Sequence, residues 1–567
     1  MKEMSDQVRG VVFVVVAMLI LLVWQHYYKP AALPPQQKPA ESAQSVPPSP
    51  APQSPATGTK AGPPGGAVSA PVIRANEEKT LVVESPLYRV ELSNRGGVVK
   101  SWKLKKYFDD QKPPHELDLV NADVAKELGW PFSLLLTDPQ QEEQANSSLY
   151  QVAPATDHFD APATITFHWS DGHFAVTKKL TFEESYQMSV ETNVELDAKP
   201  VPGSALAWRG GFGDKAVYKA SALVNVFYKL NGKLEILPLK KLGVPNNQIQ
   251  PVLQPGPLEF TGMEDQFFTA TFLPDSKDLS LSLWHWTQFH HLTGGEKPES
   301  EQVAEMAAGS PLPQPIQMRV YVGPKDLTLL SKEKPPLDEL VQFGWTGIIA
   351  KPLFEFLKWI HKYAPNYGWA IVILTLLING VMFPLKMKSW RSMQKMQKVG
   401  PEIRQIQDRY KKYSMSDPRK KKMNEEVMAI YSREGINPMG SCLPMLFQMP
   451  IWWALWRVLN GAIELRHAPW IGWIRDLSAM DPYYILPIGM TITMYLMTKM
   501  TPQTSADPAQ QKMMALMPLF MGFIFFKLSS GLNLYMFTSN LVGIGQQWYL
   551  NRAQPLPAKG KFKKKTE

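Results

Sequence analysis

A chain of 567 residues with 44% hydrophobic residues and a mean hydropathy of −0.20 is too polar to lie wholly in a membrane, yet its apolar residues come in separate blocks, so soluble and membrane parts coexist. A single cysteine, Cys442, excludes an intramolecular disulfide framework and a multi-cysteine metal site. The net charge of +9 is concentrated, since 386–433 alone holds 14 Lys/Arg against 5 Asp/Glu, a bias that fits membrane topology better than general nucleic-acid affinity.

The first element predicted is an uncleaved transmembrane anchor within 1–28. Its apolar run, 10–24, lacks an A-x-A-like cleavage site, and Tyr27 and Tyr28 suit the interfacial belt. A linker over 29–72 is rich in Pro, Ala, Gln and Ser and cannot bury a core, so it is expected to be disordered. From 73 to 334 the pattern changes to short alternating runs, such as QMSVETNVEL and IQMRVYVG, separated by Asn-Arg-Gly-Gly and Ser-Asp-Gly breaks. That alternation predicts antiparallel strands and a β-sandwich domain. His158, His168 and His173 lack any zinc spacing and read as ordinary strand positions.

Residues 335–365 form a predicted amphipathic helix lying in the membrane interface. Phe343, Ile348, Phe354, Leu357 and Ile360 supply its apolar face, Trp345, Trp359 and Tyr363 suit the headgroup layer, and a break or kink is expected near Pro352. A second span covers 366–385 and carries Thr375 and Asn379 on one face. The basic segment 386–440 reads as a cytoplasmic helical hairpin. Asp417 and Pro418 mark the start of its second helix and Gly435 the end. Lys395, Arg404, Lys411, Lys412, Arg419, Lys420, Lys421 and Lys422 could orient the chain, or dock an anionic partner such as a ribosome. Spans three to six are predicted within 441–550, with Ser529-Ser530-Gly531 turning the chain between the last two, and a basic cytoplasmic tail over 551–567. The count is six spans with both termini inside and the β-domain outside.

The stretches PMGSCLPMLFQMPIWWALW, ELRHAPWIGWIRDLSAMDPYYILPI and SSGLNLYMFTSNLV resemble the membrane core of the YidC family of insertases. The Arg-Gly-Gly hairpin and the FPLK end of the second span resemble its long Gram-negative form. The resemblance implies an α-helical membrane protein: a five-span core plus anchor, with a periplasmic β-supersandwich. It also implies insertion of nascent membrane proteins into the phospholipid bilayer of the inner membrane, alone or beside the Sec translocon, through a hydrophilic groove open to cytoplasm and lipid. No cofactor, metal or catalytic residue is implied.

The residues themselves support a groove. Thr375 and Asn379 share a face, Gln448 and Met449 each lie four residues before Trp452 and Trp453, and Asn533, Asn540 and Gln547 recur every seven. Polar side chains on three spans point to a hydrated cavity, although helix-to-helix hydrogen bonds use the same residues. Flexible Met445, Met449, Met494 and Met536 suit a surface that accepts varied apolar segments. No nucleotide-binding loop or protease motif occurs, so insertion draws on hydrophobic partitioning and the membrane potential. One departure stands out. The resemblance places an arginine just before G-x-x-x-P in the second span, where this chain has Asn379, with Arg457 as a candidate compensating charge. A positive charge at 379 is therefore expected to be dispensable. A small-solute transporter or a structural envelope-assembly factor is the alternative reading, but a transporter calls for paired intramembrane acids and the spans hold none.

Overall fold

A computed structural model describes residues 71–214, 223–242, 251–275, 280–292, 299–413, 417–437, 443–501 and 508–553. The predicted anchor, nearly all of the linker, Cys442 and most of the predicted tail lie outside them. Two compact units emerge, one containing 71–387 with 444–553 and the other 388–443.

The β-domain follows from alternation. Along Phe174–Phe182 every second side chain is buried, and this strand pairs antiparallel with Gln187–Leu196 and Ala163–Ser170. These three belong to a ten-stranded sheet, which continues through Ile316–Pro324 and Phe268–Pro274 to Phe260–Glu264 and beyond. Two five-stranded sheets flank it, one built on Tyr88–Ser93 and Val98–Phe108, the other on Leu281–Leu292 and Glu299–Ser310. Aromatic side chains fill the space between the sheets. Trp102 lies 6.3 Å from Phe182 on one side and 6.4 Å from Phe132 on the other, and Phe132 continues to Trp208.

The Arg-Gly-Gly turn depends on a lysine. Gly96 and Gly97 take φ of +71° and +56°, and a Cβ on Gly96 would overlap the Asn146 carbonyl. Lys178 occupies an inward position of its strand and is fully buried. Its ammonium donates to the carbonyls of Gly96 (2.6 Å), Gly97 (3.3 Å) and Phe132 (2.8 Å), tying the turn to the large sheet. Burial without a carboxylate partner pulls its pKa down to about 7.

Helix α1 (Gly347–Tyr363) follows two short 3₁₀ turns and buries Ala350, Phe354, Leu357 and Ile360. Two expectations are corrected here. Ile348 is 88% exposed, because six residues to Phe354 carry it off the buried face. Pro352 does not break the helix: it removes one hydrogen bond, and the carbonyl left over belongs to that exposed first turn. The opposite side carries a ladder of exposed aromatic rings, Phe356, Trp359 and Tyr363, with centroids 5.5 and 5.0 Å apart.

Helix α2 (Tyr367–Arg409) is the one described helix long and apolar enough to cross a membrane. At 43 residues it passes the predicted end at 385, since Pro384 frees only the carbonyl of exposed Gly380. Helix α3 (Pro418–Arg433) starts where expected. Asp417 accepts from the Arg419 amide, and Gly435 follows the end at φ +59°. Helices α4 (Leu443–Gly461), α5 (Ile485–Met500), α6 (Pro508–Phe525) and α7 (Ser530–Ala553) complete the described helices after it.

Between α4 and α5 the chain docks on the β-domain. Arg466 donates to Asp214 at 3.0 and 2.5 Å and to the Phe108 carbonyl at 2.7 Å, and His467 meets Asp110 at 2.7 Å. The same connection supplies carbonyls to the start of α7, with Ser530 and Gly531 amides donating to Ala479 and Leu477 at 2.7 Å each. Asp481 closes the connection. It accepts from the Trp473 indole and from the Tyr483 and Leu486 amides, which fixes the entry to α5.

Candidate functional site

Thr375 and Asn379 are brought together with α7, and both are almost wholly buried. The Thr375 hydroxyl turns back onto the Ile371 carbonyl at 2.6 Å, a local bond open to threonine in a helix. The Asn379 amide donates to the Thr375 carbonyl (2.9 Å) and to Ser539 Oγ on α7 (3.2 Å). Lys386, two turns further on, bends back to Asn379 Oδ1 at 2.7 Å and to Gln546 Oε1 at 3.2 Å. Gln546 in turn donates to the Asn379 carbonyl at 3.2 Å. A polar seam therefore joins α2 and α7 through Asn379, Lys386, Ser539 and Gln546.

Only part of the expected constellation meets in this seam. On α7 the seven-residue stripe predicted from Asn533, Asn540 and Gln547 turns elsewhere. Asn533 donates to the Phe525, Leu528 and Ser529 carbonyls and closes the end of α6. Asn540 donates to Met490 and Thr493 of α5, and Gln547 to the Met500 carbonyl. Asn540 and Gln547 thus bond across to α5, and Asn533 to the end of α6 and the turn after it. The α7 residues that face α2 are one position earlier, at 539 and 546, again seven apart. Their shared spacing was visible in the sequence, but one heptad stripe cannot be told from its neighbour without knowing which way each helix faces.

Gln448 donates to the Tyr535 hydroxyl at 3.0 Å, and Trp452 and Trp453 lie edge to face at 5.1 Å. Met449 is exposed and Met536 half-buried. Arg457, the candidate compensating charge, has no bond to Asn379 among the described contacts. Its guanidinium lies 5.3 Å from the Trp456 ring, and the cation that reaches Asn379 is Lys386. In the other unit, Glu402 pairs with Arg433 and Glu426 with Arg409, closing a hairpin of α2 against α3. Lys395, Arg404, Lys411, Lys412, Lys421 and Lys422 face solvent there and Lys420 is half-buried, while Arg419 binds Asp417 and lies 3.9 Å from the Tyr413 ring.

Two family descriptions match nearly all of the described chain: YidC periplasmic domain over residues 80–356, and 60Kd inner membrane protein over 359–557. A membrane protein insertase YidC of Methylobacillus flagellatus is 30% identical over 97% of this chain and 97% of its own length. One of Syntrophus aciditrophicus is 32% identical over 96% and 99%. This chain belongs to the YidC family of membrane protein insertases. A solved structure titled active YidC insertase, with the first transmembrane domain resolved, shares 19% identity over 85% of this chain and 95% of its own, at a TM-score of 0.34.

Membership gives the chain its activity and the two parts their location. The YidC chain is an inner membrane protein whose β-sheet domain is periplasmic, and its activity is the insertion of membrane proteins into the lipid bilayer. In YidC terms the α2–α7 seam lies inside the matched membrane region, and the connection held by Arg466 joins that region to the matched periplasmic domain.

Proposed function

We propose that the α2–α7 seam, together with exposed Met449 of α4 and half-buried Met536 of α7, forms the groove through which this YidC chain moves the polar part of a substrate. Six spans, with both termini in the cytoplasm, would put Lys386 at the cytoplasmic end of the seam and the β-domain outside. The observation that carries this reading is the convergence of Asn379, Lys386, Ser539 and Gln546 between α2 and α7. Polar groups at membrane depth must meet one another or water, and water in a groove lowers the cost of carrying a short polar segment partway across. The apolar part of the substrate then slides over Met449 and neighbouring side chains into lipid.

The aromatic ladder on α1 suits the outer headgroup layer. The solvent-facing cations of the α2–α3 hairpin suit a ribosome, and the Sec translocon is a further partner that the family role admits. Photo-crosslinkers placed at 449 and 536, presented with nascent membrane proteins with and without ribosomes, test the groove. Cross-links at both positions are expected. Their absence alongside normal insertion would discard it.

A further inference from the structure

We infer that a cleft on the outer face of one β-domain sheet binds a neutral glycan, with Trp284 as the platform for a sugar ring and Gln288, Arg209 and Glu142 meeting its hydroxyls. The inference is independent of the groove reading. In that sheet the strands run in the order Val252–Leu258, Leu281–Leu292, Glu299–Ser310, Ser204–Trp208 and Ser133–Leu135. Alternate residues divide between its two faces. Leu206, Trp208, Leu283 and Met306 enter the main core, whereas Ala205, Ala207, Ala307 and Trp286 form a separate cluster on the other face, with Trp284 packed against it. Ala207, Ala307 and Trp284 are neighbours across three strands. Strand centres favour large β-branched or aromatic residues, and alanines there leave the room that the two tryptophan rings take. Between the tryptophans and the helix Pro139–Ser147 lies a cleft of about 760 Å³. Small-molecule sites span roughly 300–1,000 Å³.

The polar groups of the cleft are held in place. Glu305 is wholly buried and accepts from the Trp286 indole (2.6 Å), the Gln288 amide (2.9 Å) and the Gly210 backbone amide (3.0 Å). Gln288 must therefore turn its NH₂ toward Glu305, and its oxygen, with no bond among the described residues, is left to accept from a hydroxyl. Arg209 donates to Glu142 at 2.6 Å, and its guanidinium lies 5.7 Å from the Trp286 ring. Sugar hydroxyls both donate and accept, and the C–H face of a pyranose stacks on an aromatic ring. Charge narrows the ligand class. Arg209 is spent on Glu142, and Glu143 has no ion pair among the described residues, so an anion is repelled. A cation would meet Arg209 already seated by the Trp286 ring. Strand addition by a peptide is closed as well. The Leu134 N–H and C=O of the edge strand are both bonded to the Asn146 amide at 2.8 Å, and the Leu136 N–H to Glu142 at 2.9 Å. The class that fits is a neutral pyranose oligosaccharide.

Isothermal titration of the full chain in lipid nanodiscs, free of glycoside detergent, tests this with chitotetraose, cellotetraose and maltotetraose. Saturable binding of at least one is expected. Binding of chitotetraose alone assigns the site to N-acetylated glycan strands such as those of a cell wall, and binding of the glucose polymers assigns it to free glucans. Trp284→Ala should weaken binding about tenfold or more, and Trp284→Phe should restore most of it. Glu143→Trp fills the mouth of the cleft from an exposed position and should block binding with the melting temperature unchanged, so the test survives a folding defect at 284. Failure of all three sugars to bind overturns the proposal, as does binding that persists in both Trp284→Ala and Glu143→Trp. An extended apolar peptide that binds where the sugars do not also overturns it, and assigns the cleft to polypeptide.

Discussion

Placing arginine at position 379 is the most informative single perturbation. The Lys386 ammonium lies 2.7 Å from Asn379 Oδ1, so a guanidinium there would put two like charges in contact. At about 4 Å and an effective dielectric constant near 20 their repulsion is about 4 kcal/mol. The asparagine bonds to Thr375 and Ser539 are lost in addition. Asn379→Arg is therefore expected to cripple insertion, and Asn379→Arg with Lys386→Ala to recover most of it, since one cation again occupies the seam. Asn379→Ala removes the bond to the Lys386 ammonium, about 1.5–3 kcal/mol for a hydrogen bond to a charged group, along with the bonds to Thr375 and Ser539, and should leave partial activity because Gln546 still holds the lysine. Complementation of a YidC-depleted strain, with membrane abundance measured for each variant, is the assay. Asn379→Arg inserting as well as or better than wild type with Lys386 intact would refute the reasoning.

Three further expectations concern stability. Arg466→Met leaves Asp214, 2% exposed in its side chain, without its guanidinium, and should cost about 3–5 kcal/mol in thermal unfolding of the full chain. The Lys178 pKa of about 7 lies below its unfolded value of 10.5, so between these values the unfolded chain binds the extra proton. Stability of the β-domain should accordingly rise as pH climbs from 7 toward 10.5, and unfolding scans of Lys178→Met should lose that slope. A Cβ on Gly522 would overlap the Thr491 side chain across the α5–α6 contact, so Gly522→Ala should lower the melting temperature through about 1–3 kcal/mol of overpacking.

The β-domain was legible because strands such as Phe174–Phe182 alternate along their length, and a hairpin turn of consecutive glycines leaves few other readings. The start of α3 was legible for the same local reason, a cap followed by proline. What escaped were relations between helices. Asn379 was singled out as a departure from the family pattern, and a compensating charge was sought at Arg457, on another helix. The cation was in fact seven residues along the same helix, on the same face, and had been counted only as part of the basic segment. Ser539, which bonds to α2, was passed over for Asn540, which bonds to α5, because helical spacing gives the period of a stripe and not its direction. Unbroken helix through Pro352 was missed because the proline was weighed without asking whether the freed carbonyl had water or space beside it.

The ion pair of Arg466 with Asp214 sets an order of manufacture. Its members are 252 residues apart, so Asp214 leaves the ribosome long before the arginine that will bury it exists. The β-domain must wait outside the membrane with that carboxylate still solvated, while α1 through α4 are made and placed. Only when the connection after α4 has been exported can the last piece be set, and the same connection then receives the first turn of α7. An insertase built this way completes its own periplasmic domain only after much of its own membrane insertion is done.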